Sequence, residues 1–470
     1  MYLPAYRGTA QRRRGQEAGG REPGAGSRRQ RAGGRKPAFV VKWRLILWPE
    51  RSGVVATIAI KGGKVLTITK GTIEGGTVLI EDGKIKAVGQ DVAVPAGAQV
   101  VDASGKWVTP GLIDAHSHIA IFGEPMVEAL HDGNEMTDPI TPHVRALDAV
   151  NPADPAVRDT LSGGVTTVWT GPGSGNVVGG TGIIVKLHGK TIDEMLVEPK
   201  IGSMKMALGE NPKRVYGSQK KFPMTRMGNA AALREALVKA QNYMEKFRRA
   251  DDDAAKESKE KGTSVEPKYP ERDLKMEMLS KVLRRELRAR IHCHRADDIL
   301  TAVRIGEEFN LDFTIEHCTE GWKVADVLAA KKVACTVGPN DLTRVKMECE
   351  NFTLANAGIL AKAGVKVAIQ VDGFSNTRWL PVHTGVLIRF GLPEDEAFRS
   401  VTMNAAEILG VEDRLGSLEP GKDADIAVFS GHPFCSFTRC EKVFVNGVEV
   451  YDADQAGHPR PARPGCGGKG

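Results

Sequence analysis

Short runs of alternating apolar and polar residues begin at about Thr57 and return near the end of the chain. Near the start such runs flank Asp82-Gly83, and near the end they flank Asn446-Gly447. These residue pairs supply the positive φ angles that a two-residue hairpin turn needs. Neither strand-rich piece is long enough to form a stable sheet with a buried face alone. We therefore predict one small β-sandwich domain formed from both chain ends, residues 51–108 and 411–454.

The middle of the chain has a different rhythm, in which each apolar strand is followed by a helical pattern. After the strand that ends at His292, apolar residues recur at helical spacing from Ile299 to Phe309. Strands that alternate with helices favour parallel pairing with right-handed crossovers. This pattern predicts an α/β fold, a (β/α)8 TIM-like barrel over residues 109–410. The strand candidates are Leu112 to Asp114, Val165 to Trp169, Ile183 to Leu187, Ser203 to Ala207, Arg290 to His292, Leu311 to Ile315, Val333 to Val337 and Val365 to Val371.

The positive charge of the chain is concentrated in its first 50 residues. The 470 residues have a formal net charge of +7, and residues 1–50 alone carry ten Arg and two Lys against three Glu. We interpret residues 1–50 as a disordered basic N-terminal extension and residues 455–470 as a disordered tail. Nucleic-acid binding would need basic charge on a shaped surface beside base-reading groups. We therefore predict no nucleic-acid partner.

The lengths of the apolar runs and the spacing of the cysteines indicate in which cellular compartment the protein works. No run reaches the roughly 20 uninterrupted apolar residues of a membrane span. The seven cysteines are scattered without paired CxxC spacing, which argues against a disulfide framework. We predict no membrane anchor, reduced thiols and a cytoplasmic location; the oligomeric state is left open, with a homo-oligomer as one option.

Residues of types that bind metals follow directly after several predicted barrel strands. The active sites of such barrels lie at these carboxyl ends of the strands. His116 and His118 are two positions apart just past the first strand, so an extended backbone points both imidazoles to one side. Two capping or surface histidines would be the alternative. Strands five, six and eight end in His292, His317 and Asp372. Four strand ends with such residues predict a shared divalent metal site.

Two motifs carry a resemblance to a known family. They are VTPGLIDAHSH at residues 108–118 and GSLEPGKDADI at residues 416–426. With these motifs the chain resembles the metal-dependent amidohydrolase superfamily and is similar to its imidazolonepropionase-like and prolidase-like branch. The resemblance covers about residues 57–452. It implies a barrel with a β-sandwich built from both chain ends, in agreement with the pattern above.

The resemblance also implies roles for individual residues. The metal ligands would be His116, His118, His292, His317 and Asp372, and their imidazole and carboxylate donors suit one or two divalent ions, above all zinc. Asp372 would act as general base and acid for a metal-activated water. His317 would be catalytic as well, either as a ligand of a second metal or as a donor to the substrate oxyanion.

Further residues are candidates for the same site. A two-metal site needs a bridging carboxylate or carboxylated lysine, for which Lys205 is preferred and Lys186 is the rival; the alternative for both is a solvated lysine. His294 and Arg295 follow the strand-five ligand and could bind a substrate carboxylate. Arg295 could instead pair with Asp297 or Asp298.

These residues predict an enzyme, a metal-dependent hydrolase that cleaves an amide or cyclic C–N bond of a small-molecule substrate. Many deaminases of the superfamily carry Glu three residues after the strand-five His, where this chain has Arg295. Deamination of an aminated heterocycle is therefore the alternative. A non-catalytic amidohydrolase-like barrel is another, but the five ligand positions are filled. The loop from Asp372 to Asn376 departs from the family pattern, so no named substrate is transferred.

Overall fold

The computed structural model describes residues 57–197, 202–340 and 346–456. The predicted extension, residues 1–50, and nearly all of the predicted tail lie outside these residues. The strands run in chain order as β1 Ile58–Leu66, β2 Thr72–Glu81, β3 Lys84–Gly89, β4 Gln99–Asp102, β5 Trp107–Pro110, β6 Leu112–Ser117, β7 Val165–Thr170, β8 Val178–Lys186, β9 Ser203–Ala207, β10 Arg288–Cys293, β11 Phe313–His317, β12 Cys335–Val337, β13 Val367–Ile369, β14 Ile426–Phe429, β15 Cys440–Val445 and β16 Val448–Asp452.

The helices lie mainly between the barrel strands. The predicted apolar spacing after His292 forms α6, whose Ile299, Ala302 and Val303 are buried in the main core. Among the described residues no helix combines the length and the apolar character that crossing a membrane requires. The helices are α1 Pro155–Leu161, α2 Ile192–Met195, α3 Glu210–Ser218, α4 Arg226–Lys261, α5 Leu274–Leu283, α6 Ala296–Glu308, α7 Ala325–Ala330, α8 Asn356–Lys362, α9 Leu380–Arg389, α10 Glu394–Ser400 and α11 Met403–Leu409.

The two ends of the described chain form one β domain. Its strands follow the order β16-β15-β14-β5-β1-β2-β3, with β4 paired to β1. The two ends meet where β14 pairs antiparallel with β5. Both predicted hairpin turns are present, with positive φ at Asp82, Gly83, Asn446 and Gly447. The predicted domain built from both chain ends is confirmed.

The middle of the chain forms the barrel, in the order β6-β7-β8-β9-β10-β11-β12-β13. The sheet nearly closes on itself, because the backbone N–H of Val371, just past β13, donates to Oδ2 of Asp114 on β6 at 3.1 Å. Next to it, the N–H of His118 donates to the carbonyl of Gly373 at 3.0 Å. The predicted TIM-like barrel is confirmed, with all eight predicted strands present.

One barrel strand runs in an unexpected direction. β8 pairs antiparallel with both β7 and β9, whereas parallel pairing was expected throughout. Only residues 171–177 connect β7 to β8. A parallel crossover needs a dozen or more residues, so this connection can only turn back as a hairpin.

The reversed strand removes Lys186 from the candidate bridging residues. Lys186 ends β8, and the reversal carries it to the edge of the barrel opposite the carboxyl ends of the parallel strands. There its Nζ bonds to Oδ2 of Asp423 at 2.7 Å and to Oδ1 of Asp425 at 3.0 Å. The prediction of Lys186 as a rival bridging residue is therefore wrong.

Candidate metal and active site

The carboxyl ends of the parallel strands bring most of the predicted site residues together. His116, His317 and Asp372 each offer a ligand atom, and these atoms all lie within 4.8 Å of one another. His118 joins them, since its Nε2 lies 3.1 Å from Oδ1 of Asp372. His317 and Asp372 have φ angles of 68° and 56°, a conformation that is costly for residues other than glycine and that clusters at functional sites.

A second group of possible metal ligands shares His317 with the group of His116, His317 and Asp372. His292, His294 and His317 also offer three ligand atoms within 4.8 Å of one another, and all three side chains are buried. Their ring centroids are 4.3 to 4.8 Å apart. His294 was predicted to contact substrate, and the structure places it beside the predicted metal ligands His292 and His317.

The sequence prediction for Arg295 does not fit its position. Its side chain is 43% exposed, and the guanidinium forms two hydrogen bonds of 2.9 Å with the carboxylate of Asp297. This is the pairing considered as the alternative. The structure thus leaves Arg295 outside the buried histidine cluster, and we do not retain it as a substrate-binding residue.

Lys205 projects from the middle of β9 towards His116, in the group of His116, His317 and Asp372. Its side chain is buried, and its Nζ lies 2.8 Å from Nε2 of His116. Burial lowers the pKa of Lys205 to about 8, because an ammonium ion loses its hydration there. The solvated lysine considered as an alternative is excluded for this residue.

A buried carboxylate that the sequence analysis did not select fixes the ring of His116. Oε2 of Glu316 accepts hydrogen bonds from Nδ1 of His116 at 2.7 Å, Nη2 of Arg290 at 2.6 Å and Oγ1 of Thr336 at 2.6 Å. Burial alone would raise the pKa of Glu316, but the charge of Arg290 and the bond from His116 outweigh it and hold the pKa well below its usual value. Glu316 is thus an ionised acceptor, and the imidazole proton of His116 lies on Nδ1. A carboxylate inside an apolar strand, directly before a predicted ligand, was the available signal.

Hydrogen bonds to backbone carbonyls fix the rings of His118 and His317. The carbonyl of Gly171 accepts from Nδ1 of His118 at 2.7 Å, and the carbonyl of Gly338 accepts from Nδ1 of His317 at 2.9 Å. Because a carbonyl only accepts, Nδ1 is the donor in the bond of His118, which leaves its Nε2 to face the site. Such second contacts orient metal-binding histidines in proteins generally.

Burial keeps the imidazoles of His116, His292 and His317 neutral. It lowers the pKa of His116 and His292 well below the usual value and lowers that of His317 to about 4. The site therefore combines neutral imidazoles with a carboxylate, the donor set that zinc prefers.

The arrangement leaves acceptors facing one another. Oδ1 of Asp372 is buried without a hydrogen bond, and it faces Nε2 of His118 at 3.1 Å and Nε2 of His116 at 3.5 Å. Converging lone pairs repel one another, and a buried unpaired carboxylate oxygen is costly. Nζ of Lys205 lies 2.8 Å from Nε2 of His116 but leaves Oδ1 of Asp372 without a hydrogen bond. A cation between that oxygen and Nε2 of His118 would satisfy both, so the residues present fit a divalent metal.

Comparisons with known proteins agree with this fold. The model of the amidohydrolase family matches residues 107–450, so the chain belongs to that family. A solved structure, an amidohydrolase from Thermotoga maritima MSB8, is 44% identical with a TM-score of 0.78, and the match covers 84% of this chain and 100% of that chain.

Two curated relatives extend the comparison. Amidohydrolase tasK of Hapsidospora irregularis is 30% identical over 396 residues, which are 80% of this chain and 40% of tasK. The chain thus matches less than half of the length of tasK. Imidazolonepropionase of Mesorhizobium japonicum is 25% identical over 384 residues, 76% of this chain and 87% of the relative. The superfamily predicted from the sequence, with its imidazolonepropionase-like branch, is confirmed.

Proposed function

We propose that this protein is a metal-dependent hydrolase that cleaves an amide or cyclic C–N bond of a small molecule, with Asp372 as general base and acid. The observation that carries the proposal is the unpaired Oδ1 of Asp372 facing the Nε2 atoms of His118 and His116. Membership in the amidohydrolase family supports the reaction class.

The residues that would hold the metal are His116, His118, His292, His317 and Asp372, and their donors favour one or two zinc ions. When bound, a divalent metal of this kind polarises a carbonyl group and makes water a nucleophile near neutral pH. His317 is assigned as a ligand, because its side chain belongs to both groups of converging ligand atoms.

Asp372 carries the proton in this proposal. Its side chain is 25% exposed while its histidine neighbours are buried, so it can meet both water and substrate. As a carboxylate it can accept a proton from the attacking water. The same carboxyl group then gives that proton to the nitrogen that leaves.

Lys205 would supply the bridging group of a two-metal site. Its amine adds to carbon dioxide only when neutral, and the new N–C bond forms with release of one proton. The pKa of about 8 gives a substantial neutral fraction near physiological pH. The resulting carbamate would lie beside Nε2 of His116, which is 2.8 Å from Nζ of Lys205.

A substrate panel tests the proposal. Zinc-loaded protein is offered dipeptides ending in proline, lactams, hydantoins and imidazolone-type rings, with aminated heterocycles as the competing class. The proposal expects opening of an amide or ring C–N bond without release of ammonia from an exocyclic amine. Ammonia release from the aminated heterocycles alone would favour deamination, and no turnover by metal-loaded protein of any compound would favour a non-catalytic barrel.

A further inference from the structure

Two phenylalanine rings lie beside the residues proposed to bind metal, on the loops that follow β6 and β13. Phe122 comes four residues after His118, and Phe374 comes two residues after Asp372. The ring of Phe122 meets the ring of His118 edge to face, with centroids 5.2 Å apart, and it meets the ring of Phe374 in the same way at 5.7 Å. Both phenylalanines are only partly buried. We call this pair of rings the aromatic wall.

Contacts around the two loops hold the aromatic wall in place. Oγ of Ser375, the residue after Phe374, donates a hydrogen bond to Oε1 of Glu124, two residues after Phe122. Behind the first ring the chain has Gly133, where a Cβ atom would lie only 1.9 Å from a ring carbon of Phe122. Only glycine leaves room for the ring at this position. The wall is therefore built before any ligand arrives, which lowers the cost of binding one.

Further apolar side chains lie on the same loop as Phe122. Met126, Val127 and Leu130 are between 38% and 48% exposed. The carbonyl of Leu130 accepts a hydrogen bond of 2.8 Å from the backbone N–H of Gly123, which ties this segment to the residue after Phe122. Exposed apolar side chains that lie together beside a polar site are typical of a ligand-binding surface.

The other side of the histidine cluster is polar. Nδ2 of Asn211 lies 3.3 Å from Nε2 of His292, and Nζ of Lys346 lies 2.6 Å from Oε1 of Glu348. His292 belongs to β10, which lies across the barrel from β6 in the order of the strands. A molecule at the centre of the site therefore meets apolar rings on the side of β6 and β13, and polar groups on the side of β10.

We propose that the aromatic wall binds an aromatic group of the substrate, attached next to the C–N bond that is cleaved. This inference rests on the proposed function and deepens it, because it names the substrate class as amides or cyclic C–N compounds with an aromatic substituent. Contact with Phe122 and Phe374 removes the apolar surface of that group from water. Edge-to-face or offset packing against the two rings adds to the stabilisation.

Binding of two hydroxamic acids to the zinc-loaded full chain tests the inference without requiring turnover. Acetohydroxamic acid and phenylacetohydroxamic acid carry the same metal-binding group and differ by one phenyl ring. Titration calorimetry of the wild type should show about tenfold or more tighter binding of phenylacetohydroxamic acid. In Phe122→Ala and in Phe374→Ala this preference should fall by about fivefold or more, while the affinity for acetohydroxamic acid stays the same.

Phe437→Ala is the matched control, since this ring is 68% exposed in the β domain, between β14 and β15. It should keep the preference of the wild type. Phe122→Leu and Phe374→Leu retain an apolar side chain and should also reduce the preference, so the test stands even if an alanine variant fails to fold.

Two results would overturn the inference while leaving the proposed function intact. One is a zinc-loaded wild type that binds the two hydroxamic acids equally or binds neither. The other is a preference for the phenyl compound that persists in folded variants of both Phe122 and Phe374. A chain that binds no zinc at all would contradict the proposed function as well.

Discussion

The carboxylate of Glu316 accepts a hydrogen bond from Nδ1 of His116 at 2.7 Å, and both side chains are completely buried. The bond crosses the barrel from β11 to β6, which are not adjacent strands. It decides which nitrogen of His116 is free, because the ionised carboxylate can only accept. Glu316 therefore acts through His116 as a positioning residue.

Replacing Glu316 by Gln should weaken metal binding by about 10–100-fold, the usual effect of losing a carboxylate behind a histidine ligand. The neutral amide no longer requires the proton of His116 to lie on Nδ1. The measurement is the zinc dissociation constant from competition with a chelating dye. Thr314→Val is the control, since Oγ1 of Thr314 binds the other carboxylate oxygen at 2.6 Å and leaves the bond to His116 in place. An unchanged dissociation constant in folded Glu316→Gln would refute the positioning role.

Asp372→Asn should lower kcat by about 10²–10⁴-fold, the usual contribution of a general acid or base. The amide has no ionised oxygen to accept a proton at any working pH. Turnover of the best substrate is measured under saturating zinc, so that a weaker metal affinity does not contribute. Asp413→Asn, a change at an exposed position, should leave kcat unchanged. If kcat falls less than tenfold in metal-saturated Asp372→Asn, another group carries the proton.

Carbon-13 NMR can detect a carbamate on Lys205. Enzyme incubated with ¹³C-bicarbonate and zinc should show one carbamate resonance, and Lys205→Met should lose it, because the thioether cannot add carbon dioxide. Lys213→Met, which changes an exposed lysine, should keep the resonance. A resonance that persists in Lys205→Met, or none in the wild type, would exclude Lys205 as the bridging group.

Asp423 stabilises the contact between the barrel and the β domain in a way that depends on pH. Burial alone would raise its pKa, but Lys186 and the other bonded cations outweigh it and lower the pKa to about 2, from the usual 3.8. As pH falls, Asp423 is therefore protonated in the unfolded chain before it is protonated in the folded chain. The stabilisation that it provides is complete above about pH 4 and is lost as pH falls towards 2.

Asp423→Asn should therefore lower the free energy of unfolding by about 3 kcal/mol at pH 6, since it leaves buried Lys186 with one carboxylate fewer. The difference from wild type should shrink as pH approaches 3. Urea unfolding over this range measures it, with Asp413→Asn as the neutral comparison. A difference that does not change with pH would contradict the assignment.

Much of this architecture could be predicted from the sequence because it depends on local patterns. Alternating strands, Asp-Gly and Asn-Gly turns and the strand–helix rhythm indicated both the barrel and the domain built from the two chain ends. The direction of β8 could not be predicted in the same way, because an isolated strand pattern has no direction. Only the short connection after Thr170 contained that information.

The residues of the site could be predicted from the sequence, but not the pairings between their side chains. His116, His118, His292, His317 and Asp372 stand at strand ends, where topology alone brings them together. Pairings between side chains depend on distances in the folded chain, and the spacing of residues along the sequence does not determine these distances. The bond of Glu316 to His116 is of this kind, and so is the pairing of Arg295 with Asp297.

The central claim is that the buried histidines and Asp372 hold a divalent metal on which hydrolysis depends. The most direct test is the metal content of protein purified without chelator, measured by inductively coupled plasma mass spectrometry together with activity before and after metal removal. We predict one to two equivalents of zinc or a similar divalent ion per chain, loss of activity when the ion is removed and recovery when zinc is added back. Protein that has never met a chelator, carries no metal and does not bind added zinc would contradict the account.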